Sequence, residues 1–351
     1  MQYGFPKPEY ENFPPIVHVE TTNVCNLRCI HCPHTDVKNI IPNYSANYME
    51  LPLWRRVVDE VSKYPVAIRL TPDGEPMLTK DWVEQVEYAL KKKVSTFTFN
   101  THGMFLEGEK ADVLLKECDT DIVVEISLDG LFRDTYDAIR VKSDYKRVLR
   151  NVLDFISRRD SLGRENVKVM VSIVAQPEVT SSELEAFDRF WAGIADKVIV
   201  RNYVDTKGLT PKKNIEDRVL SERWPCLVVF TRLIVTWDGR VRFCPDDWLK
   251  ETVLEKLDDT NSLRSIWQSE KFVALRRSHL EGSFDHPTCK KCTDWKVIRW
   301  GQDYTTALEA LKNENSKSDT SESSLSYVFQ SPEQTDERHD NKPLLVINND
   351  G

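Results

Sequence analysis

Three cysteines fall close together in the segment HVETTNVCNLRCIHCPH, His18 to His34: Cys25, Cys29 and Cys32. Thiolates are soft ligands, and the C-x3-C-x2-C spacing wraps a loop tightly enough to set three of them around one cubic iron–sulfur cluster. A [4Fe–4S] cube has four irons, so three thiolates leave one iron open. An open coordination position is what separates a catalytic metal centre from a structural one. The alternative is a Cys3His zinc site completed by His31 or His34.

Four more cysteines lie far downstream: Cys226, Cys244, Cys289 and Cys292. Cys289 and Cys292 form a C-x2-C chelating pair, and Cys244 follows a DG turn in LIVTWDGRVRFC. On spacing alone they read as a closed four-thiolate site such as a zinc ribbon. The eighth cysteine, Cys118, precedes a strand and reads as a buried structural thiol.

These ligands need a scaffold. From residue 16 to about 204, short β-like runs (16–20, 66–70, 95–100, 122–127, 167–174 and 197–203) alternate with amphipathic helical runs. The helices are expected near 51–63, 80–92, 108–118, 132–158 (broken) and 179–193. Trp54, Val57, Val58 and Val61 form the stripe of a helix packed on a sheet. Six βα units in series predict a parallel sheet curled by right-handed crossovers into a partial or full barrel. Nearly every strand has one polar face: His18 and Glu20 against Val17 and Val19, Arg69 against Ile68, Thr98 and Asn100 against Phe97 and Phe99, Glu125 and Ser127 against Val124 and Ile126. The inner face of a closed barrel is packed with branched apolar side chains, so the pattern predicts an open barrel with a polar lumen. After Gly208 the pattern breaks, giving a smaller unit over 209–312 with a helix near 262–278. The polar, Ser-rich segment 313–351 reads as a disordered tail, and residues 1–15 as an N-terminal extension.

Composition bounds the function. The 351 residues carry a net charge of −8 with 40% apolar residues, which argues against a nucleic-acid surface and for a globular protein. No run approaches the roughly 20 apolar residues of a membrane span. MQYGFPKPEYENFPP lacks the regions of a signal peptide. A cytoplasmic, reducing location is therefore expected, where thiolate metal ligands are favoured over disulfides.

C-x3-C-x2-C after the first strand of a partial (β/α)6 barrel resembles the signature of the radical S-adenosylmethionine enzymes. PDGEPML resembles the family's GGEP motif, with Gly74, Glu75 and Pro76 as the match and Asp73 in place of the first glycine. That motif implies contact with the methionyl amino group. NTHGMFL, starting at Asn100, is similar to the segment after the third strand. ISLDG is similar to the fourth strand, which implies that Ser127 and Asp129 lie near the ribose and methionine. YDAIR implies that Arg140 meets the cofactor carboxylate. The resemblance implies an α/β fold, a [4Fe–4S] cluster on Cys25, Cys29 and Cys32 whose open iron chelates S-adenosylmethionine, and a 5′-deoxyadenosyl radical that abstracts hydrogen. Behind such a barrel, Cys226, Cys244, Cys289 and Cys292 resemble the SPASM extension in its short twitch form, which implies one auxiliary [4Fe–4S] cluster with all four positions filled.

The chain resembles in particular enzymes of the deoxy-scyllo-inosamine dehydrogenase type. This implies oxidation of a secondary alcohol on a small polyol, sugar or aminocyclitol, with an external electron donor such as flavodoxin or ferredoxin. Asp246 and Asp247 are the expected bases. His102 is expected at the reaction, and Arg201, Asn202, Tyr203, His18 and Glu20 at the substrate. Two alternatives remain. One is radical epimerisation, with a hydrogen donor other than Cys118. The other is modification of a ribosomal peptide, whose leader would need a separate binding protein because only 24 residues precede Cys25.

Overall fold

The computed structural model describes residues 3–211, 223–296, 298, 300–301, 304–314 and 327–328. Strands β1 (Ile16–Val19), β2 (Ala67–Leu70), β3 (Thr96–Thr101), β4 (Asp121–Ser127), β5 (Val167–Ala175) and β6 (Lys197–Asn202) pair in parallel, each beside the next. Helices α1 (Leu51–Val61), α2 (Trp82–Lys91), α3 (Arg133–Ile139), α4 (Tyr145–Ser161) and α5 (Ser181–Trp191) lie in the crossovers. Their starts follow local chemistry. Pro52 sits in the first turn of α1, where its missing N–H costs nothing. The Asp144 side chain caps α4, and that of Thr180 caps α5. The break expected within 132–158 falls between α3 and α4. The helix expected over 108–118 is shorter, an α-turn at Glu109–Asp112 followed by a 3-10 turn at Val113–Leu115.

The two faces of the sheet divide as the alternation requires. Val17, Val19, Ile68, Phe97, Phe99, Val124 and Ile126 join the core beneath the helices. The opposite side chains, among them His18, Glu20, Arg69, Thr98, Glu125 and Ser172, are buried as well. On a one-sided sheet they would face water; here they line a lumen.

The smaller unit shares the barrel's sheet. Strand β7 (Arg232–Val235) pairs in parallel with β1, and β8 (Arg240–Arg242) and β9 (Val253–Lys256) follow antiparallel. With β10 (Tyr327–Val328) on β6, the order is β10-β6-β5-β4-β3-β2-β1-β7-β8-β9. The helix expected at 262–278 is two, Leu263–Trp267 and α6 (Glu270–Leu280), the first held by a Ser262 capping box. Helix α7 (Tyr304–Glu314) sets Tyr304, Leu308 and Leu311 against Ile16, Ala67, Val123, Met170 and Ile199, closing the end of the lumen at which the strands begin. Of the tail expected at 313–351, only the end of α7 and β10 are among the described residues. No helix among them is long and apolar enough to cross a membrane.

Candidate cofactor and active site

Cys25, Cys29 and Cys32 lie on the loop that leaves β1. Two backbone bonds pin this loop: Arg28 N donates to the Val141 carbonyl at 2.9 Å and Ile30 N to that of Ile139 at 3.1 Å. The two acceptors bracket Arg140, so its guanidinium reaches Cys29. Nη1 lies 3.6 Å from Sγ, while Nη2 pairs with Asp129. Asp129, in the left-handed region at φ 59°, also accepts from Val174 N at 2.8 Å through Oδ1. The structure thus joins Cys29, Asp129 and Arg140, which the sequence placed on three separate motifs.

The turn after β2 is held as firmly. Glu75 N donates to the Val24 carbonyl at 2.7 Å. Its carboxylate accepts from Met77 N, from Thr101 Oγ1 at 2.9 Å and from His102 N at 3.0 Å. Met104 N donates to His102 Nδ1, so Nε2 carries the ring proton toward Asn26 Oδ1 at 2.9 Å and Glu75 Oε2 at 3.3 Å. Burial holds His102 below the usual imidazole range, keeping it neutral. The structure therefore places His102 as a link between the cysteine loop, Glu75 and β3, with all its partners supplied by the chain. Sequence reasoning missed Asn26 and Thr101, for which no motif stands.

Asn100, Ser127, Arg201 and Asn202 are half-buried around the lumen. Glu125 lies at its centre, fully buried. It accepts from Arg201 Nε at 3.1 Å and Nη2 at 2.5 Å, and from Arg69 Nη2 at 2.8 Å. Burial alone would raise the Glu125 carboxyl, but Arg201 and Arg69 outweigh it and hold the group below the ordinary carboxylate range. Arg69 also reaches Asn100 Oδ1 at 2.5 Å and stacks 3.2 Å from the Tyr304 ring centroid, whose hydroxyl meets Thr98 Oγ1 at 2.6 Å. Alternation marked Arg69 and Glu125 as lumen residues, but nothing in the sequence announced Tyr304. Tyr203 is buried, its hydroxyl on Pro211 O and Thr210. His18 meets Thr71 Oγ1 at 2.7 Å, and burial followed by Arg232, Arg69 and Arg242 keeps it neutral.

Glu20, just past the end of β1, pairs with Lys250 Nζ at 2.5 Å, and Arg242 Nη2 lies 3.6 Å away. Burial, then the Asp73 carboxylate, push it up to about 7. The two aspartates after Cys244 differ. Asp247 is buried, and its Oδ2 accepts from Thr252 N at 2.6 Å and Oγ1 at 2.7 Å, which fixes the turn. Asp246 is half-buried and near enough to raise the Asp294 carboxyl, which burial first and Asp246 next push up to about 7. Of the two expected bases, Asp246 is the one not committed to the turn.

The thiols suit a soft metal group. All eight cysteines are free. Burial, then Glu75, push Cys25 up to about 12; burial pushes Cys226 up to about 12 and, with Cys292, Cys289 to about 11. Burial raises Cys29, Cys32, Cys244 and Cys292 as well. Cys29 raises Cys25, and both raise Cys32; Cys289 and Cys292 raise Cys226, which in turn raises Cys244, so the members of each set lie within electrostatic reach. Buried thiols gathered this way become thiolates only when a cation compensates them. Among the described residues no group of three or more His, Cys, Asp or Glu could hold a single ion. A cube of irons and sulfides is a wider body than an ion, and cysteine thiolates are its usual ligands. The histidines of the zinc alternative have other neighbours. His31 Nε2 faces Asp129 at 3.4 Å, and His34 stands edge-on to Trp248, ring centroids 5.2 Å apart. Lys207, from the loop after β6, donates to Cys244 Sγ at 3.1 Å. Cys118 is half-buried and sits by Thr120 O and Asn166, just before β4.

Comparison with known proteins agrees with this geometry. A model described as the radical SAM superfamily matches residues 19–190, and SPASM, described as an iron–sulfur cluster-binding domain, matches residues 226–293. The chain carries a radical SAM domain followed by a SPASM domain. The first binds S-adenosylmethionine and a [4Fe–4S] cluster, and the second binds auxiliary iron–sulfur clusters. The mycofactocin maturase MftC of Mycolicibacterium smegmatis is 29% identical over 157 residues, 45% of this chain and 37% of MftC. The chain thus spans little more than a third of the length of the curated relatives it matches first. Among solved structures, Streptococcus suis SuiB bound to S-adenosylmethionine is similar at TM-score 0.62 and 16% identity, covering 85% of this chain and 75% of SuiB. BtrN in complex with AdoMet and 2-DOIA is similar at TM-score 0.54 and 17% identity, covering 84% of this chain and 98% of BtrN. At these identities the likeness is one of fold.

Proposed function

We propose that this radical SAM enzyme oxidises a secondary alcohol of a small polyol, sugar or aminocyclitol. The observation that carries the reading is the lumen. Polar side chains of adjacent strands line it, and Asn100, Ser127, Arg201 and Asn202 stay half-buried at the ends of β3, β4 and β6. Such a lining offers hydrogen bonds to a hydroxylated molecule and penalises an apolar one.

Cys25, Cys29 and Cys32 hold the first cluster, and Cys226, Cys244, Cys289 and Cys292 an auxiliary [4Fe–4S] cluster. Gly74, Glu75, Pro76, Asn100, Ser127, Asp129 and Arg140 hold S-adenosylmethionine. When bound, these groups supply the one-electron chemistry: removal of a hydrogen atom at the first site and acceptance of an electron at the second. The chain's own residues do the rest. Arg140, fixed by Asp129, sets the position of Cys29. Glu75 and neutral His102 hold the β2 and β3 turns against the cysteine loop. Arg201, oriented by Glu125, offers donors to the substrate, and Asn202 lies beside it. Asp246 takes the hydroxyl proton. An external donor such as flavodoxin or ferredoxin supplies the reductant.

An anaerobic assay of the reconstituted protein over a panel of polyols and aminocyclitols tests this. The expected result is a product lighter by two hydrogens, with 5′-deoxyadenosine in one-to-one stoichiometry. Solvent deuterium at carbon with no change in oxidation level would replace the reading by epimerisation. A second reading, ribosomal peptide modification, is favoured by the MftC relatives, named maturases, and by the solved structure of SuiB bound to the precursor peptide SuiA. Turnover of a peptide, with none of any polyol, would establish it.

A further inference from the structure

The family motif begins with two glycines, and this chain has Asp73 in the first place. Asp73 is buried and meets the SPASM domain. Arg242 Nη2 lies 3.1 Å from each of its oxygens, and Lys250 Nζ lies 2.6 Å from Oδ2. Lys250 also pairs with Glu20 at the end of β1. Two carboxylates and two cations thus form one buried square across the junction of the two domains.

The members sit beside the metal ligands of both. Asp73 precedes Gly74 and Glu75, and Gly74 packs so closely on the Thr22 and Val24 backbone that no Cβ would fit, which sets the turn directly against the segment leading to Cys25. On the other side, Arg242 stands two residues before Cys244, and its Nη1 donates to the Asp247 carbonyl inside the turn that follows. Trp248 of that turn stands edge-on to His34, just beyond Cys32. One planar guanidinium therefore bonds the loop of an auxiliary-site cysteine with one nitrogen and the cofactor turn with another. A fork of fixed geometry transmits position where a flexible ammonium would not.

We propose that Asp73 and Arg242 are positioning residues through which the SPASM domain sets the cofactor turn, so that affinity for S-adenosylmethionine depends on their contact. The proposal rests on the reading that Gly74–Pro76 hold the cofactor. Anaerobically reconstituted holoenzyme is assayed by equilibrium dialysis with S-adenosylmethionine, with iron content and the electron paramagnetic resonance signal of the reduced clusters, with and without cofactor, as further readouts. D73N and R242Q are each expected to raise the dissociation constant about tenfold. Iron content stays at the parent level, and the cofactor-induced change in the resonance signal weakens. The double variant is expected to lose no more than either single one. R56A removes a different contact between the domains, to Asp258 and Asn261, and is expected to leave binding within twofold.

E75Q separates the two ideas. If it binds the cofactor like the parent, the reading of the turn fails. If E75Q is weak while D73N and R242Q bind within twofold of the parent, the turn is right and the coupling is overturned. Effects that multiply in the double variant, or an equal loss in R56A, overturn it too. Should R242Q prove insoluble, K250M reads the same square, and parent-like binding by K250M counts against the proposal.

Discussion

Gly74→Ala puts the cofactor turn to its sharpest test. An added Cβ would lie 2.4 Å from the Thr22 carbonyl oxygen, 2.8 Å from that of Val24 and 2.9 Å from Val24 N. All three are backbone atoms, so no rotamer change relieves the clash; turn or strand must retreat by about 1 Å. The left-handed backbone at φ 73° costs alanine about 1 kcal/mol more than glycine. Overpacking adds about 1–3 kcal/mol. The sum of about 2–4 kcal/mol is below the roughly 5–15 kcal/mol that holds a domain, so the variant folds with a lowered melting temperature. Its function suffers more, because a displacement of about 1 Å at a reacting centre costs about a hundredfold in rate. The assay pairs thermal unfolding with anaerobic formation of 5′-deoxyadenosine. Loss of stability with a rate within threefold of the parent would refute the reasoning, since the turn would then be a packing element with no hold on the chemistry.

Three further outcomes follow from the geometry. E125Q leaves two guanidiniums buried without their counter-ion. With Arg201 about a third exposed, the loss belongs at the low end of the range for broken buried pairs, about 3 kcal/mol by urea unfolding. Because the Glu125 carboxyl is held below its ordinary value of 4.5, its contribution is present above that pH and fades as pH falls through the lower folded value; E125Q should lose this acid slope. D246N is expected to lower turnover about 10²–10⁴-fold with unchanged cofactor binding, and normal turnover would remove Asp246 as the base. Replacing Cys25, Cys29 and Cys32 together by alanine should leave about half the iron, and replacing Cys289 and Cys292 should lose the other half; full iron retention in either would unseat that ligand assignment.

The cysteine loop and the strands were legible because their signals are local. Thiol spacing is read along a few residues, and strict alternation fixes which face each side chain takes, as it did for Glu125 and Arg69. Asp73 was visible only as a misfit in a motif; its partners Arg242 and Lys250 lie far away in sequence and meet it through register alone. Lys207 and Tyr304 left no trace either, one on an irregular loop and the other on a helix whose docking depends on the completed sheet. The single helix expected over 262–278 runs two helices together because its apolar pattern continues across the Gln268–Ser269 break. His102 drew attention as a histidine after a strand, and only its neighbours show that each ring nitrogen is engaged within the chain.

The place of β7 beside β1 also governs how the protein is made. As the chain leaves the ribosome, β1 gains one partner, β2, early and the other only after the whole barrel has emerged. Until then β1 presents an open hydrogen-bonding edge, the feature that draws strands of other chains. The floor closes later still, since Thr98 and Tyr304 are 206 residues apart. Contacts at such separations slow folding and favour late, concerted completion. A fragment ending near residue 208 would keep all three cysteines of the first loop and yet lack both the edge partner and the floor, leaving β1 with the open edge that strands of other copies can pair with.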